Sequence, residues 1–195
     1  MDPASAPALP SVRPRRRRGR LVFWSALAVL VVFAVLLAFL ATVGSTKANS
    51  RLLGQPAPAV RGRSLAGSQP IALTDFVGQW VLVNFAASWC IPCQQEMPQL
   101  QQFARSAARY HATILTVTDD PNDTAGLRSM LAGDHASWPA VADAAAQVKW
   151  GITGIPESFL VDPSGVVVAY FPSGIDAATL DSIISPLRAA GPASS

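Results

Sequence analysis

Val81-Leu82-Val83-Asn84-Phe85-Ala86-Ala87-Ser88-Trp89-Cys90-Ile91-Pro92-Cys93 is the stretch that decides the fold. Together with Trp80, its first residues form a β-branched, nearly continuous apolar run, the pattern of a central strand covered on both faces. The residues that follow, 91–109, carry Met97, Leu100, Phe103, Ala104 and Ala107 on one helical stripe. Cys90 and Cys93 therefore stand where a buried strand hands over to a helix. They are the only 2 cysteines in 195 residues, which excludes a disulfide-dense scaffold and an all-cysteine four-ligand metal site.

Two cysteines at this spacing can be zinc ligands, a structural bridge or a redox dithiol. Zinc needs two further ligands, and the only nitrogen donors, His111 and His135, have no finger or ribbon spacing. A bridge across so short a loop constrains the unfolded chain little. The redox reading fits the position best. A helix N-terminus offers unpaired N–H groups and the positive end of the dipole, which favour thiolate at Cys90. Cys93, one turn further in, is placed to attack a mixed disulfide formed at Cys90. The chemistry needs only the two sulfurs, so no cofactor and no metal is expected.

Downstream the pattern alternates. Residues 112–118 read as a second buried strand, and 121–132 as a helix capped by Asp119 or Asp120. A short helix is expected over 144–150, and strands over 158–161 and 166–171 joined by the Asp162-Pro163-Ser164-Gly165 turn. A closing helix over 176–190 buries Thr179, Leu180, Ile183, Ile184 and Leu187, continuing the apolar line from Ile175. Upstream, residues 70–73 read as a short strand entering a turn. Strand-helix-strand, then a hairpin and a last helix describe an α/β domain, taken as residues 59–191. Trp138-Pro139 and Asp143 are read as structural, Trp150 as core or groove wall, and both histidines as surface loop residues. Asn122-Asp123-Thr124 fits a glycosylation acceptor pattern too common to carry weight.

The basic charge lies elsewhere. Residues 1–20 hold 6 arginines against 1 acid, a net of +5, whereas the chain from Leu52 has 7 Lys/Arg against 11 Asp/Glu. The globular part is thus mildly acidic, and a nucleic-acid partner is excluded as a reading of the +3 total. After the arginines, residues 21–43 contain no charge. As a helix they would span roughly 34 Å against a hydrocarbon core of about 30 Å. The organisation expected is a basic cytoplasmic arm (1–20), a transmembrane helix (21–43), a Pro-rich linker (44–58) and the domain outside the cytoplasm. A cleaved signal peptide is the competing reading, but its apolar region normally runs to only about 7–15 residues.

The residues around the dithiol resemble the thioredoxin superfamily, and more narrowly its membrane-tethered extracytoplasmic branch, the TlpA/ResA/CcmG-DsbE group. The resemblance runs from about Leu53 to Ala190. Gln55-Pro56-Ala57-Pro58 is similar to that group's opening segment, residues 81–85 through 89–93 to its strand and active site, and Glu96-Met97-Pro98 to its acid and helix proline. Gly154-Ile155-Pro156-Glu157-Ser158-Phe159-Leu160-Val161-Asp162 is similar to its cis-proline segment. The resemblance implies a thioredoxin fold, a central mixed sheet flanked by helices, with thiol-disulfide oxidoreductase activity. It implies catalytic roles for Cys90, Cys93, Glu96 and Glu157, and a client-binding surface of Trp89, Ile155 and cis Pro156. Asn84 stands where ordinary thioredoxin-like proteins carry a buried Asp, so proton handling for Cys93 falls to Glu96 or Glu157, and a carboxylate there should titrate high. One departure is Ala86, where the branch usually has a Trp.

The implied client is a disulfide in an apocytochrome c haem-attachment motif or in a protein that handles it. The implied electron donor is a membrane carrier of the CcdA/DsbD type, and an anchored extracytoplasmic thioredoxin fold implies a bacterial cell membrane. Proline next to the second cysteine favours reduction over oxidation. A general disulfide oxidase or isomerase for secreted proteins, and a copper-binding metallochaperone, are the alternatives.

Overall fold

The computed structural model describes Trp24, Leu27, residues 29–32, 50–67 and 69–189. The chain divides into two units, Met1–Lys47 and Ala48–Ser195. In the first, the described residues are helical and exposed. The expected arm and most of the expected transmembrane helix lie outside the described residues. Among those described, no helix is long and apolar enough to cross a membrane.

The second unit is organised by strand β3 (Trp80–Phe85), every residue of which is buried. It lies in the middle of a five-stranded sheet of order β5-β4-β3-β6-β7. Strand β4 (Ala112–Thr118) runs parallel to β3, and β6 (Glu157–Val161) antiparallel on its other side. Strands β5 (Ala140–Ala142) and β7 (Val167–Phe171) complete the edges, parallel to β4 and antiparallel to β6 respectively. Two short strands, β1 (Arg61–Arg63) and β2 (Pro70–Ala72), form a separate antiparallel ribbon.

The period-2 alternation of a strand divides the core. Leu82 faces Met97, Leu100 and Phe103 of helix α1 (Ile91–Tyr110), Leu127 and Leu131 of α2 (Thr124–Gly133), and Leu180 and Ile184 of α4 (Ala177–Ala189). Val81, Val83 and Phe85 face the other way, toward Leu115, Val141, Phe159 and Trp150 of the short helix α3 (Ala146–Trp150). This central mixed sheet with helices packed on it is the architecture expected from the sequence.

Three local expectations need correction. The helix expected from Pro121 starts at Thr124, and neither Asp119 nor Asp120 is its N-cap residue; Asp123 is. The reason is a preceding turn: Asp120 Oδ1 accepts from the Asn122 amide at 2.8 Å, an Asx arrangement that competes with helix. The short helix starts at Ala146 rather than 144, because Asp143 first organises a turn by accepting from the Ala145 amide at 3.0 Å. Strands β1 and β5 were not anticipated, since three residues carry no readable periodicity. The end of the expected linker is bonded to the domain: Gly54 N donates to Val167 O at 2.8 Å, and Ala57 N to Gly165 O at 2.8 Å.

Phe159 ties one face together, with ring centroids 5.0 Å from Trp150, 6.2 Å from Phe85 and 4.7 Å from Tyr170. Replacing it by Ala should lower unfolding free energy by about 3–5 kcal/mol, read from urea denaturation of the oxidised chain.

Candidate active site

The turn between β3 and α1 presents the dithiol. Cys90 occupies the N-cap position with extended dihedrals (φ −81°, ψ 104°), and its Sγ accepts from the Cys93 amide at 3.1 Å. Pro92 sits in the first turn, where its missing N–H costs no helical bond. The cysteines form a disulfide with Cα atoms 5.2 Å apart. Both are buried, while their neighbours Trp89 and Ile91 are 65% and 58% exposed. The centre is thus a covered sulfur pair flanked by an apolar ledge open to solvent.

Across the turn, the Ile155–Pro156 peptide bond is cis, as the resemblance implied. Ile155 O lies 3.6 Å from Cys90 Sγ, so a reduced Cys90 has a carbonyl acceptor within reach. Ala86, Ala87 and Ile155 pack around the two cysteines.

Beneath lies a buried polar row set by strand register, which places Asn84 opposite Thr116 on one side and Ser158 on the other. Asn84 Nδ2 donates to Ser158 Oγ at 3.0 Å and to Glu96 Oε2 at 3.3 Å. Glu96 Oε1 accepts from the Ile175 amide at 2.7 Å. Glu96 is 6% exposed, one turn beyond Cys93 on the same helix. Burial pushes its carboxyl up from an ordinary 4.5 to about 7, against the opposing pull of the Ile175 and Asn84 donors. Gly174, at φ 98°, lets the chain pass close by. A Cβ there would lie 3.6 Å from Glu96 Oε1 and 3.7 Å from the Pro156 ring, which puts the acid and the cis proline around one point.

Glu157 does something different. Its Oε1 accepts from the Thr153 amide (3.1 Å), the Thr153 hydroxyl (2.9 Å) and the Gly154 amide (3.0 Å). It therefore braces the loop leading into the cis proline. Among the described residues its Oε2 has no hydrogen-bond partner. Burial first, and then the nearby Glu157 charge, hold the Tyr170 phenol above its usual range.

The fold brings Trp89, Cys90, Cys93, Ile155 and Pro156 to one end of β3, with Glu96 below them. Ser158, Thr153, Gly174 and the Ile175 amide were missed, because each acts through a register or loop approach that local spacing does not show. His111 and His135 are exposed loop residues, each at positive φ. A cavity of about 240 Å³ lined by Val60, Leu73, Val81 and Val161 belongs to the opposite end of β3.

Between about pH 4.5 and 7 the folded chain keeps a proton on Glu96 that the unfolded chain has released. Stability must therefore fall as pH rises through that interval, with a total cost of about 3 kcal/mol above it. Glu96→Gln, which keeps an acceptor for Ile175, should flatten this slope in urea titrations run from pH 4.5 to 8, the window set by the two pKa values.

Residues 53–170 match the AhpC/TSA family. The chain is 30% identical over 141 residues to the thiol:disulfide interchange protein HelX of Rhodobacter capsulatus, covering 71% of this chain and 78% of that protein. It is 29% identical over 125 residues to the thiol-disulfide oxidoreductase ResA of Bacillus thuringiensis, covering 63% and 71%. A crystal structure of the thioredoxin domain of a thiol-disulfide oxidoreductase from Bacteroides vulgatus superposes with a TM-score of 0.63 at 28% identity, covering 70% of this chain and 100% of that one. The redox pair at a helix start, the mixed sheet behind it and these relatives agree: the chain belongs to the AhpC/TSA family and is a thioredoxin-like thiol-disulfide oxidoreductase.

Proposed function

We propose that this protein is a membrane-anchored reductant of client disulfides outside the cytoplasm, working in cytochrome c maturation. The observation that carries the reading is the juxtaposition of a buried dithiol, a cis-proline carbonyl 3.6 Å from Cys90 Sγ, and a carboxyl titrating at about 7 one turn behind Cys93. Reducing both client sulfurs calls for a nucleophile, a resolving thiol and a group that takes a proton near neutrality.

Cys90 thiolate, favoured by the Cys93 amide and the helix N-terminus, attacks one sulfur of the client disulfide and expels the other as thiolate. Glu96 accepts the Cys93 proton. Cys93 thiolate then attacks Cys90 Sγ, releasing the second client sulfur and leaving the Cys90–Cys93 disulfide. Two electrons have passed to the client, and an external dithiol must return them. Trp89 and Ile91 give an apolar ledge for the client, and Ile155 with Pro156 its extended backbone contact. Glu157 contributes by holding the loop rather than by proton transfer.

The setting rests on two further supports. The arginine-rich residues 1–20 followed by uncharged 21–43 carry the signature of an anchor with its N-terminus in the cytoplasm. Resemblance to the TlpA/ResA/CcmG-DsbE group then names the client as an apocytochrome c disulfide, or one in a protein that handles it, and the donor as a CcdA/DsbD-type membrane protein.

Cys93→Ala should accumulate a dithiothreitol-sensitive mixed disulfide with its client, and Cys90→Ala should not. Redox titration should place the pair near thioredoxin, about −270 mV, rather than near a strong oxidant at about −120 mV. Loss of the gene should lower covalent cytochrome c haem. A strongly oxidising potential, or trapping of many unrelated secreted proteins, would replace this reading with a general oxidase or isomerase.

A further inference from the structure

Two positions before the nucleophile, Ser88 is hydrogen-bonded to residues of two different helices, donating to one and accepting from the other. Asp123 Oδ2 accepts from the Ser88 amide at 2.7 Å, and Asp123 Oδ1 accepts from the Ser88 hydroxyl. From the other side, Gln94 Nε2 on α1 donates to Ser88 O at 2.7 Å. Asp123 is 7% exposed and is the N-cap residue of α2. An Asp at an N-cap ordinarily accepts from the second or third amide of its own helix. Here both oxygens are directed to a residue 35 positions away.

Gly126, in the first turn of α2, makes this approach possible. A Cβ on it would come within 2.7 Å of Asp123 Oδ1 and 3.0 Å of Ser88 Cβ. Any side chain at 126 would push Ser88 and Asp123 apart. The apolar packing of the same turn is thin, because Ala86 and Ala87 contribute one methyl each.

We infer that Ser88, Asp123 and Gly126 form a positioning clamp, through which the start of α2 holds the 86–90 turn and so sets the reactivity of Cys90. The inference rests on the reading of Cys90 as the attacking thiolate and adds the residues that keep it aligned. A thiolate gains from the Cys93 amide and the helix N-terminus only while it stays in line with them. Releasing Ser88 lets Cys90 drift from those donors, which favours the protonated thiol. Among the described residues, the hydrogen bonds of the two cysteine sulfurs go to Ile155 and the Cys93 amide and not to Ser88, Asp123 or Gly126.

The test uses the reduced full-length chain in detergent and follows the pH dependence of Cys90 alkylation by iodoacetamide. Ser88→Ala and Gly126→Ala both leave every charge in place, whereas Asp123→Asn would itself lower a thiol pKa by removing a negative charge. Both neutral variants should raise the alkylation midpoint, with the rate below it falling about threefold or more. Leu131→Ala is the control: it cuts the buried core face of α2 without touching the clamp. It should lower the urea midpoint and leave the alkylation profile where it was. Wild-type profiles for Ser88→Ala and Gly126→Ala overturn the clamp, and so does an equal shift in Leu131→Ala. Alkylation needs no client, so a chain that reduces no disulfide would defeat the functional reading while this measurement still decided the clamp.

Discussion

A polar side chain in the middle of a fully buried strand is the constraint on which the rest depends. Asn84 has zero exposure within β3. An amide there must find partners inside the protein or cost several kcal/mol. Strand register supplies Ser158 from β6, and the first turns of α1 supply Glu96. That requirement fixes how α1 lies against the sheet, and the dithiol is the start of α1. The same bonds keep Glu96 away from water, and burial is what brings its carboxyl near neutrality. One buried amide thus links the sheet, the helix and the buried Glu96 carboxyl.

The second support is the loop before β6. Glu157 gathers two amides and a hydroxyl, and the chain then passes through cis Pro156, which carries Ile155 O to Cys90. Gly174 lets the segment after β7 close over Glu96 and the proline together. Two carboxylates of similar burial therefore have different surroundings. Glu96 accepts donors from Asn84 and Ile175 and titrates high. Glu157 accepts three donors on one oxygen and organises backbone. Sequence spacing alone treated them as equivalent candidates for proton transfer, because it shows that an acid lies near the site but not what faces each of its oxygens.

Much of the fold was legible. β3, β4 and α1 carry long, strongly periodic apolar patterns, and the Asp162-to-Gly165 turn has residue types that its geometry demands. Short elements were not legible: β1 and β5 are held by pairing with neighbours, and three residues hold no period. The start of α2 was misplaced because Asp119, Asp120 and Asp123 are equally good caps in one dimension. In the site, the cysteines were readable from their spacing and the cis proline from the family resemblance, whereas the Asn84–Ser158 and Ser88–Asp123 contacts join residues far apart in the chain.

The sequence by itself narrowed the chemistry, because a cysteine pair between a buried strand and a helix admits few uses. It also set a basic, then apolar N-terminal stretch apart from an acidic remainder, since charge and hydropathy are additive along the chain. Tertiary structure alone decided that Glu96 is buried and titrates high, which carbonyl meets Cys90, and which helix steadies the turn. Those properties depend on burial and on hydrogen-bond partners from distant segments, and both come into being only when the sheet assembles.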